Sequence, residues 1–259
     1  MIFKRFCFAL AALMWLAAAT YASEPDPDPV EATAPVPRSE AGQVLSLFIS
    51  QFQAQQARLR DMSMEMEIEA RLPRLKKEGS LHTIRQISPS GEVQFLEPRP
   101  SGDKMIYKDV IGQYLKAEAE ASRGIKDSRG NPVSIAINTE NYRFRHKATI
   151  ATSGRRIYVY QVTPRKKRLG LFRGEIWVDA SSGMPLREAG RLVKNPSVFL
   201  KKVEFVREYE IQDGVALPAR VESIIDTRLV GRAELEIRYS NYSTAKTAGH
   251  SMSAMLQPQ

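Results

Sequence analysis

The residues able to do chemistry are few and widely spread. His82, His146 and His250 are the only histidines, and no two stand at the i, i+4 spacing that lets one helix face hold a metal ion. Solvated or packed histidines are expected rather than a metal site. Glu65, Glu67 and Glu69 alternate within "MSMEMEIEA" (62–70). Converging carboxylates can divide acid and base work, but period-two spacing puts these three on one strand face, where they read as a wetted surface. No G-x-S-x-G elbow and no phosphate loop occurs. The sequence therefore reads as a non-enzyme that needs no metal and no cofactor.

Two other groups carry more information. Met62, Met64 and Met66 share the opposite face of the same strand with Ile68 and Ala70. Methionine is flexible and polarizable, which suits a surface that repacks around variable acyl chains, although ordinary core packing uses the same spacing. Phe205, Tyr209 and Val221, then Leu235, Ile237 and Tyr239, hold the inward phase of later strands and are expected to continue the lining. The second group is "RKKRLGLF" (165–172). Lying between Pro164 and Gly170, it reads as an exposed hairpin connection. Arg165, Lys166, Lys167 and Arg168, with Leu169 and Phe172, are expected to meet an anionic membrane surface or a protein partner. Nucleic acid is not expected, because no aromatic stacking platform accompanies the charge.

Lys4 and Arg5 precede an apolar run from Phe6 to Ala19, with small residues at Thr20 and Ala22. That is the pattern of a secretory signal over 1–22, and the run is too short to span a bilayer. Residues 23–38, "SEPDPDPVEATAPVPR", read as an acidic, Pro-rich disordered linker. Cys7, the only cysteine, falls within the signal, so the mature chain is expected to hold no disulfide. Residues 39–243 are expected to form one domain and 244–259 a flexible tail. A periplasmic, soluble monomer is the expectation. The net charge of +9 favours anionic surfaces.

The elements follow from periodicity. Ser39 can cap a helix whose apolar positions run through Val44, Phe48, Phe52 and Leu59. A second helix is predicted over 109–122 with Val110, Ile111, Tyr114 and Leu115 on one face. Between and after them come short alternating runs punctuated by "SPSG", "ATSG", "SSGM" and Asp213-Gly214, the signals of antiparallel hairpins. The fold class is α+β and mostly antiparallel β: an incomplete, half-open β-barrel or strongly curved sheet, with helices covering the concave face.

The stretches "YVYQVTPRKKRLGLFRGEIWVDASSGMPLREAG", "VEFVREYEIQDGVALPARVE" and "AELEIRYSNY" resemble the periplasmic outer-membrane lipoprotein carriers of the LolA/LolB-like family. The early Pro-Gly…Arg-Trp strand of those carriers is absent, and the region reads "EGSLHTIRQISPSGEVQFLEP" instead. The resemblance implies an apolar concavity that shelters the acyl chains of a lipid or acylated protein, and a part in outer-membrane lipoprotein sorting. The alternative is a periplasmic sensor or interaction module, its sheet filled by its own side chains, docking to a protein or membrane surface.

Overall fold

The computed structural model describes residues 39–125, 133–152, 154–195 and 198–244. The expected signal and linker, the expected tail from 245 onwards, and His250 lie outside the described residues. Helix α1 is Glu40–Arg58, and β1 is Met62–Leu72. Strands β2 (Lys77–Ile87) and β3 (Val93–Gly102) lead into helix α2 (Gly112–Ala121). Seven strands follow: β4 (Tyr142–Thr152), β5 (Arg155–Pro164), β6 (Phe172–Asp179), β7 (Pro185–Leu192), β8 (Leu200–Gln212), β9 (Val215–Thr227) and β10 (Arg232–Thr244).

All ten strands form one antiparallel sheet in the order β3-β2-β1-β10-β9-β8-β7-β6-β5-β4. Each strand pairs with its neighbour in sequence except where β1 meets β10, so the two ends of the meander are sewn together in the middle of the sheet. The edges, β3 and β4, are not paired to each other. The sheet is therefore open.

The turns behave as their chemistry dictates. Asp213 and Gly214 both take positive φ, 51° and 70°, as a two-residue turn matched to strand twist requires. The "SPSG" turn closes with Gly91 N donating to Ser88 O at 2.8 Å. Between β6 and β7, Asp179 accepts at Oδ1 from both the backbone N–H and the hydroxyl of Ser181 and of Ser182.

Alternation puts Met64, Met66 and Ile68 on the buried face at 1% exposure or less, while Glu65, Glu67 and Glu69 lie outside. Both helices pack on the apolar side. From α1, Val44, Phe48 and Phe52 enter the same core cluster as the Met stripe. Ser39 accepts from Gly42 N and caps the helix. Three bonds fix its course: Tyr160 Oη donates to Ala41 O at 2.6 Å, Gln55 Nε2 to Ala216 O at 2.6 Å and Arg58 Nη1 to Gly214 O at 2.8 Å. The second helical segment begins earlier than the sequence pattern predicts. A wide-wound turn over Ile106–Ile111 precedes α2, and it buries Ile106, Val110 and Ile111 before the regular helix buries Tyr114 and Leu115. Asp103 Oδ1 accepts from Met105 N at 2.8 Å and so starts the segment before Asp109.

Candidate functional site

Strand register assembles the inner face in rows. One row runs Leu81, Ile68, Ile237, Val221, Arg207, Glu188, Ile176 and Tyr160 across β2, β1, β10, β9, β8, β7, β6 and β5. Six members are apolar or aromatic, and an arginine and a glutamate sit side by side among them. Arg207 Nη1 donates to Glu188 Oε2 at 2.9 Å, and Tyr209 Oη donates to Glu188 Oε1 at 3.0 Å. Their side chains are 4% and 0% exposed, so they satisfy one another away from water. A second buried pair joins a strand to a helix. Arg85 Nε on β2 donates to Glu118 Oε1 on α2 at 2.8 Å, and Arg85 sits opposite Met64 in the register of β1 and β2.

Arg85, Glu118 and Arg207 of the two pairs line a common cleft of about 60 Å³, together with Gln56 of α1, Leu59 at its C-cap, and side chains from β2, β1, β10, β9 and β8. Met64, Ile87, Pro218 and Tyr239 give it an apolar wall, and Arg85, Arg207 and Tyr209 a polar one. The formal charges of the two pairs cancel, so the cleft holds strong dipoles without net charge. Gln56 Oε1 is buried with no hydrogen-bond partner among the described residues, whereas Glu118 has the Tyr114 hydroxyl as a neighbour besides Arg85. An unmet buried acceptor costs about 1–3 kcal/mol.

Burial dominates the titration of this site. It pushes the Glu188 carboxyl up, against the pull of Arg207 and the hydrogen bond from Tyr209. Desolvation opposes the charge of Arg207, yet Tyr209 and Glu188 hold its guanidinium above the ordinary range. Arg85 is likewise raised: burial opposes its charge most, and Glu118 with Tyr239 and Tyr114 together outweigh it. Tyr114 and Tyr239 are raised chiefly by burial and then by Glu118, so both stay neutral phenols.

No protein-family model matches the sequence, and no curated protein matches it. The chain is similar to several solved structures, each at low sequence identity. One, a LolA superfamily protein from Nitrosomonas europaea, is 14% identical with a TM-score of 0.41, covering 79% of this chain and 93% of that one. A DUF1329 family protein from Desulfovibrio piger is 12% identical at a TM-score of 0.42, covering 80% and 94%. A domain from Vibrio parahaemolyticus, named for outer membrane lipoprotein sorting, is 13% identical at 0.40, covering 79% and 93%.

The residues singled out in the sequence separate into two sets. Met66, Ile68, Val221 and Ile237 are sealed in the core, and Met62, Phe205 and Leu235 are buried beside them. Met64, Tyr209 and Tyr239 alone among the expected lining residues reach the cleft. In the basic loop, Arg165, Lys166 and Lys167 are exposed, while Arg168 and Leu169 are half-buried. Phe172, expected at the surface, is a correction: it is 1% exposed and packs on Tyr142 and Phe205, with ring centroids 5.7 and 5.1 Å away. It opens β6 on the inward phase, so the sheet claims it. His82 Nε2 lies 3.6 Å from Glu65 on the outer face, and His146 Nε2 meets Thr149 Oγ1 at 3.0 Å.

Arg85, Glu118, Glu188, Arg207 and Gln56 were not legible as a site. A signal did exist for three of them. Arg85 continues the inward phase of Leu81 and Thr83, Arg207 that of Val203 and Phe205, and Glu118 follows Tyr114 at i+4. A charge in an apolar phase announces a buried partner.

Proposed function

We propose that the chain is an exported, non-catalytic binding protein that takes the acyl chain of a lipid or acylated protein against the apolar face of its sheet. The observation that carries this reading is the cleft, where both helices and five adjacent strands each supply a side chain. It sets a Met-bearing wall beside a polar wall with no net charge, the chemistry of an amphiphile's neck. The spare acceptor Gln56 Oε1 suits a ligand that presents a hydroxyl or amide N–H donor. A space of about 60 Å³ takes a few waters and not an acyl chain, so occupancy requires a helix to move. The Arg85–Glu118 pair is a buried contact that holds α2 against the sheet, beside the bond from Val93 N to Ser122 Oγ at its C-cap. Export rests on the charged and apolar pattern at 1–22, and a part in lipoprotein sorting between the membranes of the periplasm follows the resemblance in sequence.

The test is purification from the periplasm without detergent, solvent extraction and mass spectrometry, with titration of a fluorescent fatty-acid probe. Co-purified lipid is expected, together with probe binding that Met64→Asp abolishes. Absence of both lipid and probe binding overturns the reading. The sealed packing of Met66, Ile68 and Ile237 supports a second reading, an interaction module whose sheet is filled by its own side chains. A stable protein partner captured without lipid, and lost on replacing residues 165–168 by Ser, decides for it.

A further inference from the structure

Antiparallel order sends alternate turns to opposite ends of the sheet. At one end lie the β1–β2, β5–β6, β7–β8 and β9–β10 turns, whose sequences are "PRLK" (73–76), "RKKRLGL" (165–171), "VKNPSVF" (193–199) and "RLVG" (228–231). All four are basic, and none contains Asp or Glu. At the other end the turns read "SPSGE" (88–92), "ASSGM" (180–184) and "DG" (213–214), without a single Lys or Arg. Arginines of the flanking strands there are already engaged, Arg155 with Asp179 at 3.2 Å and Arg156 with Glu40.

The basic turns are physically joined. Arg228 N donates to Phe199 O at 2.9 Å and Arg228 Nε to Val198 O at 2.8 Å; Val193 N donates to Leu171 O at 3.0 Å. A Cβ on Gly231 would stand 3.2 Å from Arg74 Cδ. Beside them is a groove of about 330 Å³, lined by Lys167, Arg173, Arg191, Lys201 and Lys202 and by no acid. Arg173 lies directly opposite Arg191 across β6 and β7, a like-charge pairing that disfavours the sheet unless an anion joins it. Glu204, opposite Arg191 on β8, is taken by Lys202 at 2.7 Å. From the same end project Val198, Leu229 and Leu75, 77%, 50% and 39% exposed.

We infer that this end of the sheet docks on an anionic lipid bilayer, with phosphate headgroups in the Arg173–Arg191 groove and Val198, Leu229 and Leu75 entering the interface. Apolar tips set beside Arg173, Arg191 and Lys201, which have no carboxylate partner among the described residues while Lys202 and Lys77 are held by Glu204 and Asp103, fit a layer of anionic headgroups over hydrocarbon. A soluble acidic partner would use the cations and leave the tips in water. The surface lies apart from the cleft, so the two are tested separately.

The experiment is co-sedimentation of the purified protein with vesicles of phosphatidylethanolamine and phosphatidylglycerol, and with pure phosphatidylcholine vesicles as the neutral arm. Binding to the anionic vesicles alone is expected, weakening as salt screens the contact. The triple variant R173S/R191S/K201S should lower the partition coefficient about a hundredfold. The exposed-tip variant V198D/L229D should lower it by at least about tenfold, with binding of the fatty-acid probe unchanged in both. Equal binding to neutral vesicles, or no response to either variant, overturns the inference. Binding to soluble polyglutamate or heparin with none to vesicles overturns it too, and assigns the groove to an acidic macromolecule.

Discussion

Arg207 and Glu188 sit in the apolar centre of the sheet, where an ion pair contributes little net stability but becomes costly when broken. Arg207→Met leaves an uncompensated carboxylate and is expected to cost about 3–5 kcal/mol in chemical denaturation; adding Glu188→Leu should recover most of it. The pH dependence has a definite sign. Burial raises the folded-state affinity of Glu188 for a proton, so its contribution to stability is fully present below the unfolded carboxyl value. That contribution is lost as pH rises through the folded value. Without Arg207 the upward push grows, and the deficit of Arg207→Met should shrink from neutral to acid pH. A deficit that stays constant over that span would sink the account. Met66→Ala, at a position sealed from solvent, should cost about 2–5 kcal/mol through the cavity it leaves.

Among the elements, the β6–β7 turn and helix α2 hold the site in shape. Asp179 is 3% exposed. Burial would raise its carboxyl, but the hydrogen bonds from Ser181 and Ser182 outweigh that and hold it below the ordinary aspartate range. Its stabilisation is present above the unfolded value and is lost as pH falls through the depressed one. Asp179→Ala should therefore lose about 1–3 kcal/mol at neutral pH, measured by urea titration, and less near the acid limit. Gly183 in the same turn has φ +69°, and a Cβ there would stand 2.5 Å from Leu47 Cγ of α1; the turn thus supports the helix. For α2 one anchor is Arg85–Glu118 and another the bond from Val93 N to Ser122 Oγ. Glu118→Gln should raise amide hydrogen exchange across 112–121 while α1 keeps its protection, because α1 is held by its own bonds to β5 and β9.

At the scale of the whole molecule, an open sheet of ten strands has two edges to protect. Strand β3 carries Pro98 and Pro100, which cannot donate to an added strand, and β4 carries Arg143, Arg145 and Lys147, which repel a copy of itself. Replacing both prolines by Thr should produce concentration-dependent association in light scattering, with the expected monomer lost. The sequence alone determined the strands, because a half-buried antiparallel strand must alternate, as "MSMEMEIEA" does, and determined the hairpins, because only turn chemistry such as Asp213-Gly214 reverses a twisted ribbon in two residues. It also held the basic loop in plain view. What only tertiary structure decided was which strands meet across long separations: β1 against β10, Arg207 beside Glu188, Arg85 under Glu118, and four basic turns at one end. Those pairings depend on register and sheet order. Periodicity fixes which face a side chain takes and leaves open what stands opposite it.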